Sequence, residues 1–187
     1  MFEEILIALG AALDRKGLGY MVIGGQAVLL YGEPRLTRDI DVTLGVGIER
    51  LPDLLQAVRD LSLQPLPEDV EDFVRKTLVL PVLDNNTGIR IDFIFSYTVY
   101  ETEAIRRARS VVFPGGGTAR FASPEDIVVH KVFAGRPRDL EDVRSILLKV
   151  GDLDLPYIRR WLAEFDEAAE EKRFVLRFDE ILNSLEE

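Results

Sequence analysis

Asp39 and Asp41 flank a single apolar residue in the stretch Thr-Arg-Asp-Ile-Asp-Val-Thr-Leu, which starts at Thr37. An extended strand alternates its side chains, so the two carboxylates share one face and Ile40 takes the other. Like charges held side by side repel, and partial burial sharpens the penalty. A cation placed between them removes it. Oxygen donors in a chain without cysteine suit a hard ion, Mg²⁺ or Mn²⁺. Taken alone, an Asp-X-Asp pair fits a solvated strand end better, because the chain carries 33 acidic residues.

Asp92 adds to the pair. It lies within Ile-Arg-Ile-Asp-Phe-Ile-Phe, residues 89–95, one of the most apolar stretches of the chain. A carboxylate there needs a partner, since an unpaired buried charge is costly. Arg35, Arg38 or Arg90 could pair with it, or it could be the third oxygen donor to a metal shared with Asp39 and Asp41. Gly24-Gly25 supplies another kind of site. It stands where a strand gives way to a helix, so backbone N–H groups can face an anion and the missing side chains let a phosphate approach. An ordinary tight turn would look the same.

The elements that must hold these residues follow from periodicity. A helix is predicted over 2–15, with Ile5, Leu6, Leu9 and Leu13 at helical spacing. A strand over 20–23 leads into Gly24-Gly25, a brief helix over 26–31, and a break at Gly32-Glu33-Pro34. A strand over 40–46 carries Asp41, and a helix follows over 52–61. Residues 77–83 and 89–95 form a hairpin whose turn holds Asn85, Asn86 and Gly88. A helix over 101–108 precedes a second hairpin, 110–113 with 119–122, around Gly115-Gly116-Gly117. From Ser123 onward the chain is helical. Ser123 is its cap and Pro124 its first residue. Ile158, Trp161, Leu162 and Phe165 form one core stripe, and Phe174, Phe178, Ile181 and Leu185 another. The fold class is α/β (α+β), a mixed sheet flanked by helices. Residues 1–122 make the α/β core and 123–187 a helical part packed on it as one compact unit.

Composition narrows the function. Apolar residues make up 47% and charged residues 30% of 187, the balance of a soluble globular protein. No apolar run reaches the roughly 20 residues a membrane helix needs. Glu3 and Glu4 stand where an export signal would be basic, and the absence of cysteine fits a cytoplasmic location. A net charge of −10 argues against a tightly held nucleic acid, so any RNA contact is expected to be transient.

The order strand, Gly-Gly, short helix, Asp-X-Asp strand and a later strand with Asp resembles the DNA polymerase β-like nucleotidyltransferase superfamily. GGQAVLLYGEPRLTRDIDV, residues 24–42, and RIDFIF, residues 90–95, carry the resemblance. Within the superfamily the chain is similar to AbiEii/AbiGii-type minimal bacterial nucleotidyltransferases, through these blocks and through SPEDIVVHKVFAGRPRDLEDV, residues 123–143. The resemblance implies that Asp39, Asp41 and Asp92 hold the metal and that Gly24, Gly25, Thr37, Arg38 and Lys131 bind the nucleotide. It makes Asp92, Lys131 and Asp139 the catalytic set. Many members carry a serine directly after the first glycine, whereas this chain has Gly25 and then Gln26.

Lys131 also stands out by position. Its place on the helical wheel, between Ile127 and Val128, turns it inward, where a lysine either reaches out to solvent or meets an anion. Replacing it is expected to impair transfer while barely altering the fold. Asp139 shares an inward side with Val143. Asp142 reads as an edge carboxylate favouring the first turn of its helix. His130 is given no chemistry. Arg106, Arg107, Arg109, Arg136 and Arg138 fit solvated helix faces, and would also suit an RNA end. The expected reaction moves a nucleotide monophosphate from an NTP to an acceptor hydroxyl on RNA, a protein or a small molecule. A toxin-type role with a protein antitoxin is implied by the resemblance. The alternative is an inactive nucleotidyltransferase-like module that binds nucleotide or protein.

Overall fold

A computed structural model describes residues 2–169 and 173–185, and the chain divides into two compact units. The first comprises residues 1–26 and 36–122, the second 27–35 and 123–187. Residues 27–35 go with the helical unit. Local bonding explains why. The Glu33 amide donates to Ser145 Oγ (3.1 Å), Lys149 Nζ donates to the Gly32 carbonyl (3.1 Å), and Arg35 pairs with Asp142.

The first unit contains the whole sheet. Its elements are α1 (Phe2–Arg15), β1 (Tyr20–Ile23), the start of α2 (Gly24–Tyr31), β2 (Asp39–Leu44), α3 (Leu51–Asp60), β3 (Gln64–Pro65), α4 (Val70–Thr77), β4 (Val79–Asp84), β5 (Ile89–Phe95), α5 (Val99–Arg107), β6 (Arg109–Val112) and β7 (Thr118–Phe121). The strands run in the order β3-β4-β5-β2-β1-β7-β6. β2 pairs with β5 and β1 with β7 in parallel; the other neighbours are antiparallel, giving the mixed sheet that the sequence implied. Ile40, Val42 and Leu44 of β2 and Ile91, Phe93 and Phe95 of β5 are buried on one face. That face, being apolar, fixes the register, because a slip of one residue would bury the carboxylates.

β3 and α4 went unanticipated, as did a single 3₁₀ turn at Ile48–Arg50. β3 is two residues long and contains a proline, and α4 is a polar helix that buries Val74 alone. β3 is too short to show a period, and α4 offers only Val70, Phe73 and Val74 at helical spacing among charged residues. α4 is held instead by Asp69, whose side chain accepts from the Asp72 amide, and by Leu78 in the left-handed region at φ 57°.

The second unit holds the rest of α2, α6 (Pro124–Ala134), α7 (Pro137–Lys149), α8 (Leu155–Ala168) and α9 (Phe174–Asn183). Ser123 caps α6 by accepting from the Asp126 amide and also donates to Asp126 Oδ2 at 2.6 Å. Tyr157 of α8 donates to the other oxygen of this buried carboxylate at 2.7 Å. Ile158, Trp161, Leu162, Phe174, Phe178 and Ile181 are core, and Phe133 stacks on Phe174 with ring centres 5.1 Å apart. Leu185 lies in a turn beyond α9. No helix among the described residues is long and apolar enough to cross a membrane.

Candidate functional site

β2 and β5 run side by side in parallel with Asp41 opposite Asp92 and Asp39 opposite Arg90. Opposed residues of paired strands point to the same face, and adjacent strands lie about 4.8 Å apart. The three carboxylates therefore project from one face of two neighbouring strands. Asp39 is exposed, and Asp41 and Asp92 are half-buried.

β1 brings the glycine pair to this face, since Ile23 is opposite Asp41. Gly24 follows in the left-handed region at φ 65°, and a methyl group on its Cα would collide with the Asp41 carboxylate. Only glycine satisfies both conditions. Gly25 and Gln26 are buried in the first turn of α2, whose leading amides lack helical acceptors. The Gln26 amide nitrogen is buried without a hydrogen-bond partner among the described residues. Thr37 Oγ1 donates to Asp39 Oδ1 at 3.1 Å, and Arg38 is exposed directly before Asp39.

Arg90 Nε donates to Asp92 Oδ1 at 2.8 Å. That hydrogen bond raises the guanidinium's pKa, opposed by burial and assisted by the charges of Asp92, Asp39 and Asp41. The guanidinium is thus a resident counter-charge of the acidic face. The signal was legible: Arg90 is two residues from Asp92 on a strand. Arg35, another candidate partner of Asp92, is committed elsewhere.

All-oxygen donors, their backbone placement and the bare Cα of Gly24 suit a hard divalent cation. The side chains are not gathered around one. Among the described residues no three acidic, histidine or cysteine side chains are grouped closely enough to hold a metal ion. Asp92 is turned to Arg90 and Asp39 to Thr37.

The second unit has its own charge network. Lys131 Nζ lies 2.7 Å from Asp139 Oδ1 and 2.9 Å from Asp142 Oδ2. Arg35 grips Asp142 with Nε at 2.9 Å and Nη2 at 3.0 Å. Lys131, Asp139 and Asp142 are all at least nine-tenths buried. Lys131 does point inward, but two carboxylates of its own unit already pair with it, so its replacement is expected to cost stability. Asp142 is a buried partner of two cations, not an edge residue of the first turn. Its role was hidden because Arg35 is 107 positions away. Asp139 Oδ2 is buried without a hydrogen bond. His130 keeps some exposed surface, but its Nε2 is buried; burial and then the Lys131 charge lower its pKa to about 4.

A mixed sheet with paired acidic strands behind a Gly-Gly turn defines the nucleotidyltransferase fold, and solved structures agree. The antibiotic-resistance factor ANT(2″)-Ia, in complex with adenylyl-2″-tobramycin, superposes with a TM-score of 0.58 at 19% identity, over 88% of this chain and 97% of that one. A nucleotidyltransferase-like antigen from Paracoccidioides brasiliensis does so with a TM-score of 0.54 at 15% identity, over 97% of this chain and 85% of that one. The chain belongs to the family described as nucleotidyltransferase of unknown function, DUF6036, which matches residues 1–185. No curated protein matches it in sequence.

Proposed function

We propose that the protein transfers a nucleotide monophosphate from an NTP to an acceptor hydroxyl, using Mg²⁺ or Mn²⁺ held by Asp39, Asp41 and Asp92. The observation that carries this reading is the parallel register of Asp41 with Asp92, with Asp39 on the same face. The collision that any side chain at Gly24 would have with Asp41 supports it. The bound metal would supply charge neutralisation for the triphosphate and the departing pyrophosphate. Asp92, on the separate strand, would accept the proton of the acceptor hydroxyl as its oxygen attacks the α-phosphorus and pyrophosphate leaves in line. Gly24 and Gly25 would offer backbone amides to the phosphates, with Thr37 and Arg38 beside them. Lys131 and Asp139 remain proposed participants, Lys131 towards phosphate and both in catalysis.

The acceptor class is an RNA end, a protein or a small molecule. Kinship with AbiEii/AbiGii-type enzymes, a toxin role with a protein antitoxin, and a cytoplasmic location belong to this proposal, supported by the motif order and the lack of cysteine. The second reading, an inactive nucleotide- or protein-binding module, is favoured by the missing serine, with Gly25 and then Gln26 after Gly24, and by the ungathered carboxylates. Asp41→Asn tests the first reading. It should abolish Mg²⁺-dependent NTP binding measured by calorimetry, and leave the metal-free melting temperature unchanged or slightly higher through relief of carboxylate repulsion. A large loss of metal-free stability would assign Asp41 to a structural ion pair instead. Magnesium-dependent binding without any turnover would select the second reading.

A further inference from the structure

We propose that Arg90 is a built-in competitor of the metal, holding Asp92 in the metal-free protein and giving it up when a divalent cation arrives; this rests on the metal reading above. Three observations support it. Arg90 lies opposite Asp39 in the β2–β5 ladder, so its side chain leaves the sheet on the carboxylate face. Its Nε takes Asp92 Oδ1 at 2.8 Å, an oxygen that a cation shared with Asp41 would need. The carboxylates are not gathered into a metal centre while this bond stands.

The exposures suit an exchangeable partner. The Arg90 side chain is 53% exposed and that of Asp92 19%, so the guanidinium can swing into water while the carboxylate stays in place. A pair this open is worth little in stability, and a divalent ion with several oxygen ligands outcompetes it. Without the guanidinium, three carboxylates on two adjacent strands would repel one another in the metal-free protein. Arg90 therefore acts as a positioning residue: it prevents that repulsion and sets the concentration at which the metal binds.

The test is Mn²⁺ binding to the full chain without nucleotide, followed by electron paramagnetic resonance of free Mn²⁺. The proteins compared are the parent, Arg90→Gln, Arg90→Lys, Arg38→Gln and Asp41→Asn. Arg90→Gln should bind Mn²⁺ about two- to fivefold more tightly, the range expected for losing one partly exposed charge pair. Its melting temperature in chelator should fall slightly. Arg90→Lys, which keeps the charge, should lie between it and the parent. Arg38→Gln, one residue from Asp39, reports the general effect of removing a positive charge and should change affinity less. Unchanged or weaker Mn²⁺ binding by Arg90→Gln, or an equal gain in Arg38→Gln, would overturn the inference while leaving the metal reading intact. A parent that takes up no more Mn²⁺ than Asp41→Asn would remove the metal reading itself.

Discussion

Replacing Lys131 with methionine keeps the apolar stem and deletes one buried charge. Asp142 would keep both Arg35 hydrogen bonds, at 2.9 and 3.0 Å, and should tolerate the change. Asp139 would not. Lys131 is its partner at 2.7 Å, and its second oxygen has no hydrogen bond. Breaking a buried pair by removing one member costs about 3–5 kcal/mol, because the remaining charge is uncompensated. Against a typical stability of about 5–15 kcal/mol that is a large share, and it corresponds to a melting-temperature fall of roughly 10 °C for a chain of this size. Lys131→Met/Asp139→Asn removes the stranded charge and should recover all but about 1 kcal/mol, the double-mutant signature of a coupled pair. Urea denaturation of the parent, Lys131→Met, Asp139→Asn and the double variant measures this. A cost for Lys131→Met below about 1 kcal/mol, or no recovery in the double variant, would refute the network reasoning. The same set separates structure from chemistry. Transfer regained with stability in the double variant would make Lys131 a purely structural residue. Transfer that stays lost in a well-folded double variant would place it, or Asp139, in the reaction.

Other predictions are more direct. Gly24→Ala should abolish NTP binding and cost about 1–3 kcal/mol, through a left-handed backbone and a collision with Asp41; binding isotherms with denaturation curves check it. His130, held neutral to about pH 4, should make the protein less stable as pH falls from 6.5, because the unfolded chain takes up a proton there and the folded chain does not. The loss should be on the order of 2 kcal/mol by pH 4.5, and His130→Gln should show correspondingly less of it in denaturation at pH 7 and 4.5. Arg35→Leu should destabilise by about 1–3 kcal/mol by removing both hydrogen bonds from Asp142, read from melting curves.

Sequence periodicity alone located the strands that matter. Alternation in Asp39-Ile40-Asp41 and in residues 89–95 told which side chains share a face, because strand geometry is local and its period is fixed. The Ser123 cap and the Gly24-Gly25 turn were legible for the same reason: each depends on a few adjacent residues. The two-residue strand at Gln64–Pro65 is too short to show a period, and the helix at Val70–Thr77 went unread because its apolar positions, Val70, Phe73 and Val74, are few among charged residues. Pairing was the larger gap. Only the folded sheet decided that β2 lies against β5 in parallel and sets Asp41 opposite Asp92, a register that sequence does not encode in any local signal. Only packing decided which cation each acid meets. Arg90 serves Asp92, Arg35 serves Asp142, and Lys131 lies between Asp139 and Asp142. Charge partners are chosen by proximity in space, and burial makes that choice energetically consequential.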